Sequence, residues 1–448
     1  MQISLVGFAI AVRLLRSSTN AFPIHSKSRS TMRSIAASTI DSTEDHPVGL
    51  CIDSRLSLYQ AEAGKIVSSF VPGDFRPVPW LSNRHVQTCI GYLVRDLPEC
   101  AYIFNGNMLP ALQAVARKLT KDGQLRKSSE EKYWDERKRI DTPDGDWFHA
   151  DFKFVNDSKG LVIILHGLEA SSEALLSLDM AKGFIQVGMD VVCLNFRGCS
   201  GIPANKPGGY HLGFTQDLKH FLSLLEAESA IMPSIFISGF SLGGNVALKA
   251  LGELGAEAVD RFNIKGAAIV CPPIDAEKDI RYIDAEGFNQ RIYAGGLCDD
   301  IRKKTKEQLK LFCNGDENTD QFDYSGVMKA KTIQEIDNYF IAPIFGFEGS
   351  IDYYRKSSCY YYLDRIAVPT YILRAKDDPF LDPNIPYEKS RVHGGAAPLK
   401  FQRTNHGGHL GFTFHQMNGD VADVPKTGWM PSELARFVKH VDVISRAA

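Results

Sequence analysis

Several things are scarce or missing in this sequence, and each absence narrows its function. None of the nine cysteines, at 51, 89, 100, 193, 199, 271, 298, 313 and 359, has a partner at CxxC spacing, and the count is odd. That speaks against a disulfide frame or a cysteine-built zinc site and for reduced, mostly buried thiols. Neither sign of charge is in excess. Lys and Arg number 51 against 53 Asp and Glu, a net charge of −2, so nothing points to nucleic acid or an anionic surface as the main partner. There is no internal repeat of the kind that builds solenoids. The apolar run "ISLVGFAIAV", Ile3 to Val12, falls short of the roughly 20 residues needed to span a bilayer as a helix.

Acidic residues are also missing from the N-terminus, where the first is Asp41. The apolar run is followed by Arg13 and Arg16, then by "NAFPIHSKSRSTMRS", which is basic and rich in Ser. An apolar core, an Ala-Phe junction and a transit-like stretch are similar to the two-part presequences of plastids of secondary origin. Residues 1–45 are expected to be such a presequence, directing the chain to a plastid, with a secretory or mitochondrial destination as the alternative.

What remains is an ordinary globular composition, 44% hydrophobic and 23% charged over 448 residues, enough for one large domain with extensions or for two domains. Residues 46–140 read as an N-terminal extension with Pro-rich turns and an amphipathic helix in "ALQAVARKLTK". "KRIDTPDGDWFHADF" predicts a hairpin turning at Asp144-Gly145. From residue 160 short apolar runs recur: "GLVIILHG", "GMDVVCLNFRG", "SIFISGFSLGG", "IKGAAIVCPP" and, much later, "VPTYILRAKDDPF" and "APLKFQRTNHGGH". Helix-forming text lies between several of them. Strands apolar on both faces alternating with helices predict a mostly parallel sheet flanked by helices, an α/β core drawn from 141–274 and 365–448. Residues 275–364 lose the strand signature. They read as a helical insertion capping the C-terminal edge of the sheet. Phe340, Phe345, Phe347 and Tyr353 in it are candidates for an acyl pocket, although at helical spacing such residues are more often core.

One stretch carries chemistry. In "IFISGFSLGGNVAL" an apolar strand runs into Gly239-Phe240-Ser241-Leu242-Gly243, and a helix is expected to begin near Gly244. Gly-x-Ser-x-Gly between strand and helix is a sharp turn that pushes the serine hydroxyl into the open; the glycines remove Cβ atoms where the turn is crowded. A serine is a weak nucleophile until a base takes its proton, and the base needs a carboxylate to fix its tautomer. "AKDDPF" offers Asp378, preferred to its neighbour Asp377 because it precedes Pro379. "NHGGHLGF" offers His409, preferred to His406. The two histidines as a metal pair is the weaker alternative, because a Gly-Gly turn with no further ligands makes a poor site. The oxyanion donors expected are the backbone amides of Leu242 and of Leu168 in "LHGLEAS", with His166 a structural hydrogen-bonder of that loop.

Taken together, "WLSNRHVQT", "LHGLEAS", "NFRGCSG", "GYHLGFTQDL", "GFSLGGN", "IDYYRKSS", "AKDDPF" and "HGGHLGF" resemble, in order over roughly residues 70–440, the YheT-like branch of the α/β-hydrolase superfamily, the AB hydrolase 4 family. The resemblance implies an α/β-hydrolase fold with Ser241, Asp378 and His409 as its charge-relay residues. It also implies hydrolysis of carboxylic esters, from short-chain esters to acylglycerols and phospholipids. No cofactor and no metal are expected. The partner expected is a small-molecule or lipid ester, not nucleic acid, with peripheral contact with a membrane allowed. An acyltransferase or thioesterase using the same three residues, and a catalytically silent binding protein on this fold, are the alternatives. Two features depart from the family pattern. Ala170 stands where the loop signature often has glycine, and the cap segment "CDDIRKKTKEQLKLFCNGDEN" is long and charged.

Overall fold

The structure is a computed structural model, and it describes residues 54–95, 97–104, 107–118, 132–385, 397–417 and 427–447. The expected presequence lies outside the described residues. An eight-stranded sheet forms the centre, in the order β2-β3-β5-β4-β6-β7-β8-β9. These strands are β2 (Glu136–Asp141), β3 (Trp147–Lys153), β4 (Leu161–Leu165), β5 (Asp190–Asn195), β6 (Ile235–Phe240), β7 (Ile264–Val270), β8 (Thr370–Ala375) and β9 (Leu399–Thr404). From β5 to β9 all pairs are parallel, whereas β3 runs antiparallel to both β2 and β5. A separate parallel pair joins β1 (Tyr102–Phe104) to β10 (His415–Met417).

The two-sided apolar runs follow from how the sheet is covered. Along β4, Leu161, Ile163 and Leu165 face one core, while Val162 and Ile164 face the other. The first core is closed by helices α4 (Gln216–Glu228) and α5 (Leu242–Leu254), the second by α3 (Leu175–Gln186) and the C-terminal α9 (Trp429–Ala447). A strand buried on both faces has no polar side to alternate with, and its sequence becomes a continuous apolar run.

β2 obeys a different rule. Its sequence ERKRID is charged and almost wholly exposed because it is the sheet's edge, where charge discourages pairing with another chain. It carries no apolar signature, and the boundary expected between residues 140 and 141 therefore falls inside the strand and needs correction. Before it lie α1 (Ser54–Ser69) and α2 (Leu109–Lys118). Between β7 and β8 the chain is helical, through α6 (Ala276–Asp284), α7 (Gly295–Phe312) and α8 (Ser350–Ser357) with shorter turns between them. α6, α7 and the shorter turns share a third apolar cluster that includes Ile283, Ile301, Ile333 and Phe340, whereas α8 packs on the first core through Tyr353 and Tyr354. No helix among the described residues is long and apolar enough to cross a membrane. None of the eight described cysteines is in a disulfide.

Candidate active site

Ser241 stands between β6 and α5. The helix begins at Leu242, two residues earlier than its sequence suggests, so Ser241 is itself the N-cap. Its φ of 52° lies in the left-handed region, which a residue with a Cβ enters at a cost of about 1–3 kcal/mol. The crowding around it explains the glycines. A Cβ on Gly243 would lie 2.3 Å from the carbonyl oxygens of both Leu165 and His166, and one on Gly239 would lie 2.6 Å from Gly243 O. Only a chain without side chains at these points lets the helix start hard against the end of β4.

His409 follows β9 and Asp378 follows β8. His409 Nε2 lies 3.0 Å from Ser241 Oγ, and His409 Nδ1 lies 2.9 Å and 3.1 Å from the two oxygens of Asp378. With a carboxylate on Nδ1, that nitrogen carries the proton and Nε2 is left to accept the serine's. The Asp378 side chain is fully buried and that of His409 nearly so, with its ring stacked on Phe380 at 4.3 Å. Asp378 is further held by the amide of Phe380, which donates to Oδ1 at 2.8 Å. Asp377 points elsewhere and accepts from the amide of Gly408; His406 is 3.6 Å from Asp377 and does not join the three.

Leu168 and Leu242 line the same cavity as Ser241, and neither backbone amide has a partner within the protein among the described residues. The loop carrying Leu168 is tightly held. His166 is wholly buried, bonded to Gly167 O and accepting from the amide of Phe196, and burial keeps its imidazole neutral by lowering it to about 4. Ala170, where the family pattern has glycine, still closes the turn by donating to Gly167 O. Glu169 is left-handed at φ 50°, and Tyr210 braces it twice: the Glu169 amide donates to the phenol oxygen at 2.7 Å, and the phenol donates to Oε1 at 2.9 Å. Lys304, from α7 of the cap, donates to the same Oε1 at 2.6 Å. Burial pushes the Glu169 carboxyl up, but the Lys304 ammonium and the Tyr210 hydroxyl together hold the acid below its ordinary range.

The cavity of about 230 Å³ lies between the sheet's end and the cap. Leu176, Leu212, Ile280, Ile301, Ile333 and Phe340 give it apolar walls. Of the four aromatic candidates, Phe340 and Tyr353 reach it. Phe345 and Phe347 instead pack edge-on against His211, at 4.6 and 5.3 Å between ring centres, and belong to the cap's seat. Two cap acids also border the cavity. Asp279 accepts from the amide of Asp382, and burial raises its carboxyl well above the usual range; Asp337 accepts from Tyr354 and burial raises it to about 7. Cys271, Asp378 and His409 are close enough to share a cation, but burial and the neighbouring carboxylate hold the Cys271 thiol protonated, and the Asp378 and His409 atoms already serve each other. Arg197 in "NFRGCSG" is not part of the site: it is sunk among Asp144, Asp146 and Asp217.

Residues 160–416 match the family described as the alpha/beta hydrolase fold. The chain belongs to this family. Within it, the chain is 31% identical over 343 residues to the "Putative esterase YheT" of Escherichia coli, a match covering 76% of this chain and 87% of that protein, which sets it in the YheT-like branch. It is 27% identical to the "Monoacylglycerol lipase" of Saccharomyces cerevisiae over 63% of this chain and 60% of that one. It is also 27% identical to the "Phospholipase ABHD3" of Mus musculus over 61% and 65%. The chain thus spans less than two thirds of these two eukaryotic relatives.

Sequence reading left some of this α/β hydrolase's site unassigned. Tyr210 and Lys304 brace the Leu168 loop, and residues 83–95 underlie the His409 loop. "GYHLGFTQDL" and "WLSNRHVQT" stand out in the sequence, but nothing in their spacing says what they touch.

Proposed function

We propose that this chain hydrolyses carboxylic esters of lipids through a covalent acyl-enzyme on Ser241. The observation that carries this reading is the unbroken hydrogen-bonded path from Ser241 Oγ through the His409 ring to Asp378. His409 takes the serine proton as Oγ attacks the ester carbonyl. The tetrahedral oxyanion is received by the amides of Leu242 and Leu168, with the first turn of α5 adding its dipole. His409 then gives its proton to the leaving alcohol, and water repeats the sequence on the acyl group. The apolar walls around Ser241 suit a single acyl chain. The relatives, named a putative esterase, a monoacylglycerol lipase and a phospholipase, support ester hydrolysis and a lipid ester as the substrate.

A fluorophosphonate probe tests the nucleophile. Labelling of the protein is expected, as is its loss, together with hydrolysis of a panel of monoacylglycerols and phospholipids, in Ser241→Ala. Labelling that persists in that variant would refute the assignment. Products formed with a competing alcohol present would separate hydrolysis from acyl transfer.

A further inference from the structure

The loop that carries His409 is a poor structure by itself. Gly407, Gly408, Leu410, Phe412 and Phe414 all have positive φ, the three non-glycine residues at 66°, 47° and 61°. Each such residue is strained, and the conformation persists only where its surroundings over-determine it. Those surroundings come from more than 300 residues earlier in the chain, in residues 83–95.

Three side chains of this stretch hydrogen-bond to the loop, and the two backbones touch. Thr88 Oγ accepts the His409 amide at 2.9 Å and donates to Arg84 O at 2.7 Å. Gln87, wholly buried, donates to Thr413 O at 3.1 Å and accepts the Thr413 amide at 3.0 Å. Arg95, buried against Asp179, donates to Gly411 O at 2.6 Å and also to Leu410 O. The backbones meet so closely that a Cβ on Gly408 would be 2.5 Å from Arg84 O, and one on Gly411 would be 2.2 Å from Gln87 O. The helix is under-wound where this happens: Val86–Ile90 is a π-helical turn, a form that recurs at functional sites. On its other side the stretch meets the cap, with Arg84 on Tyr282 and His85 Nδ1 2.8 Å from Tyr293.

We infer that Thr88 is a positioning residue for catalysis, holding the main chain of His409 so that its ring spans Ser241 and Asp378, with Gln87 and Arg95 fixing the loop beyond it. The inference rests on His409 being the base. It assigns a role to "RHVQT": the motif is the seat of the histidine loop. Without the hydroxyl, the His409 amide loses its acceptor and the left-handed residues lose a restraint. A shift of about 1 Å in a reacting group can cost on the order of 100-fold in rate.

The test is steady-state hydrolysis of a soluble medium-chain p-nitrophenyl ester, with kcat counted per site titrated by fluorophosphonate. Thr88→Val should lower kcat at least fivefold with KM within about twofold, and Thr88→Ser, which restores the oxygen, should recover most of the loss. Thr88→Ala serves if the valine does not fold. A merely structural role would reduce the number of titratable sites and the melting temperature while leaving the rate per site unchanged. A loss below fivefold per site, a loss carried by KM, or no recovery in Thr88→Ser would overturn the inference. Failure of the catalytic reading itself would show separately, as a wild-type protein that is neither labelled nor active.

Discussion

At the scale of single residues, the site is decided by where side chains are absent as much as by where they are present. Gly243 lets α5 begin against Leu165 O and His166 O, and no rotamer relieves a Cβ placed 2.3 Å from two carbonyl oxygens. Gly243→Ala is therefore expected to destabilise the protein by about 3 kcal/mol or more, since main chain has to move. Thermal unfolding measures it, and a melting temperature unchanged in that variant would contradict the packing described. The three residues proposed to react were the most legible part of the sequence. Ser241 and Asp378 sit just past apolar strands and His409 past the half-buried β9, all among glycine or proline, where the need for a sharply turned backbone writes itself into residue type. Their supports were not legible. Tyr210 on Glu169, Lys304 on the same carboxylate and Thr88 on a backbone amide are contacts across 41, 135 and 321 residues, and nothing local in composition marks them.

At the scale of elements, the parallel strands could be read because burial on both faces leaves one unbroken apolar run, as in "LVIIL" and "IFISGF". β2 has no such run, since an edge strand is selected for charge, and was legible only as the first arm of the hairpin turning at Asp144-Gly145. The cap is a different case: its helices are amphipathic, but short turns and π-helical segments such as Asp337–Ile341 break their period. Its polar interior gives a prediction. Asp337 is buried with the Tyr354 hydroxyl as donor and Asp284 nearby, and burial raises it from 3.8 to about 7. The folded chain thus binds this proton more tightly than the unfolded one. The stability it contributes is complete below about pH 4 and is lost as the pH climbs through about 7. Asp337→Asn, which keeps an acceptor for Tyr354, should melt higher than the wild type by a margin that widens between about pH 5 and pH 8. At roughly 2–4 °C per kcal/mol in a domain of this size, the difference is readily measured. A margin constant across that range would mean the carboxylate is already ionised at the lower pH.

At the scale of the whole molecule, three parts of the chain converge on one rim of the sheet. The core strands deliver Ser241, Asp378 and the Leu168 loop. The cap closes an apolar cavity over them and reaches down through Lys304. The segment before β2 looked like an extension in the sequence, yet its residues 83–95 lie between the cap and the His409 loop and touch both. Its function was hidden because its partners are backbone atoms at the far end of the chain. The central claim is that Ser241, His409 and Asp378 act as one unit, and a double-mutant cycle on the last two tests it most directly. Measured as kcat/KM for an activated ester, His409→Ala and Asp378→Ala should each be severe. The pair together should be no slower than His409→Ala alone, within about threefold, because a carboxylate with no imidazole to orient has nothing left to contribute. Losses that multiply would show the two side chains working independently and would contradict the account.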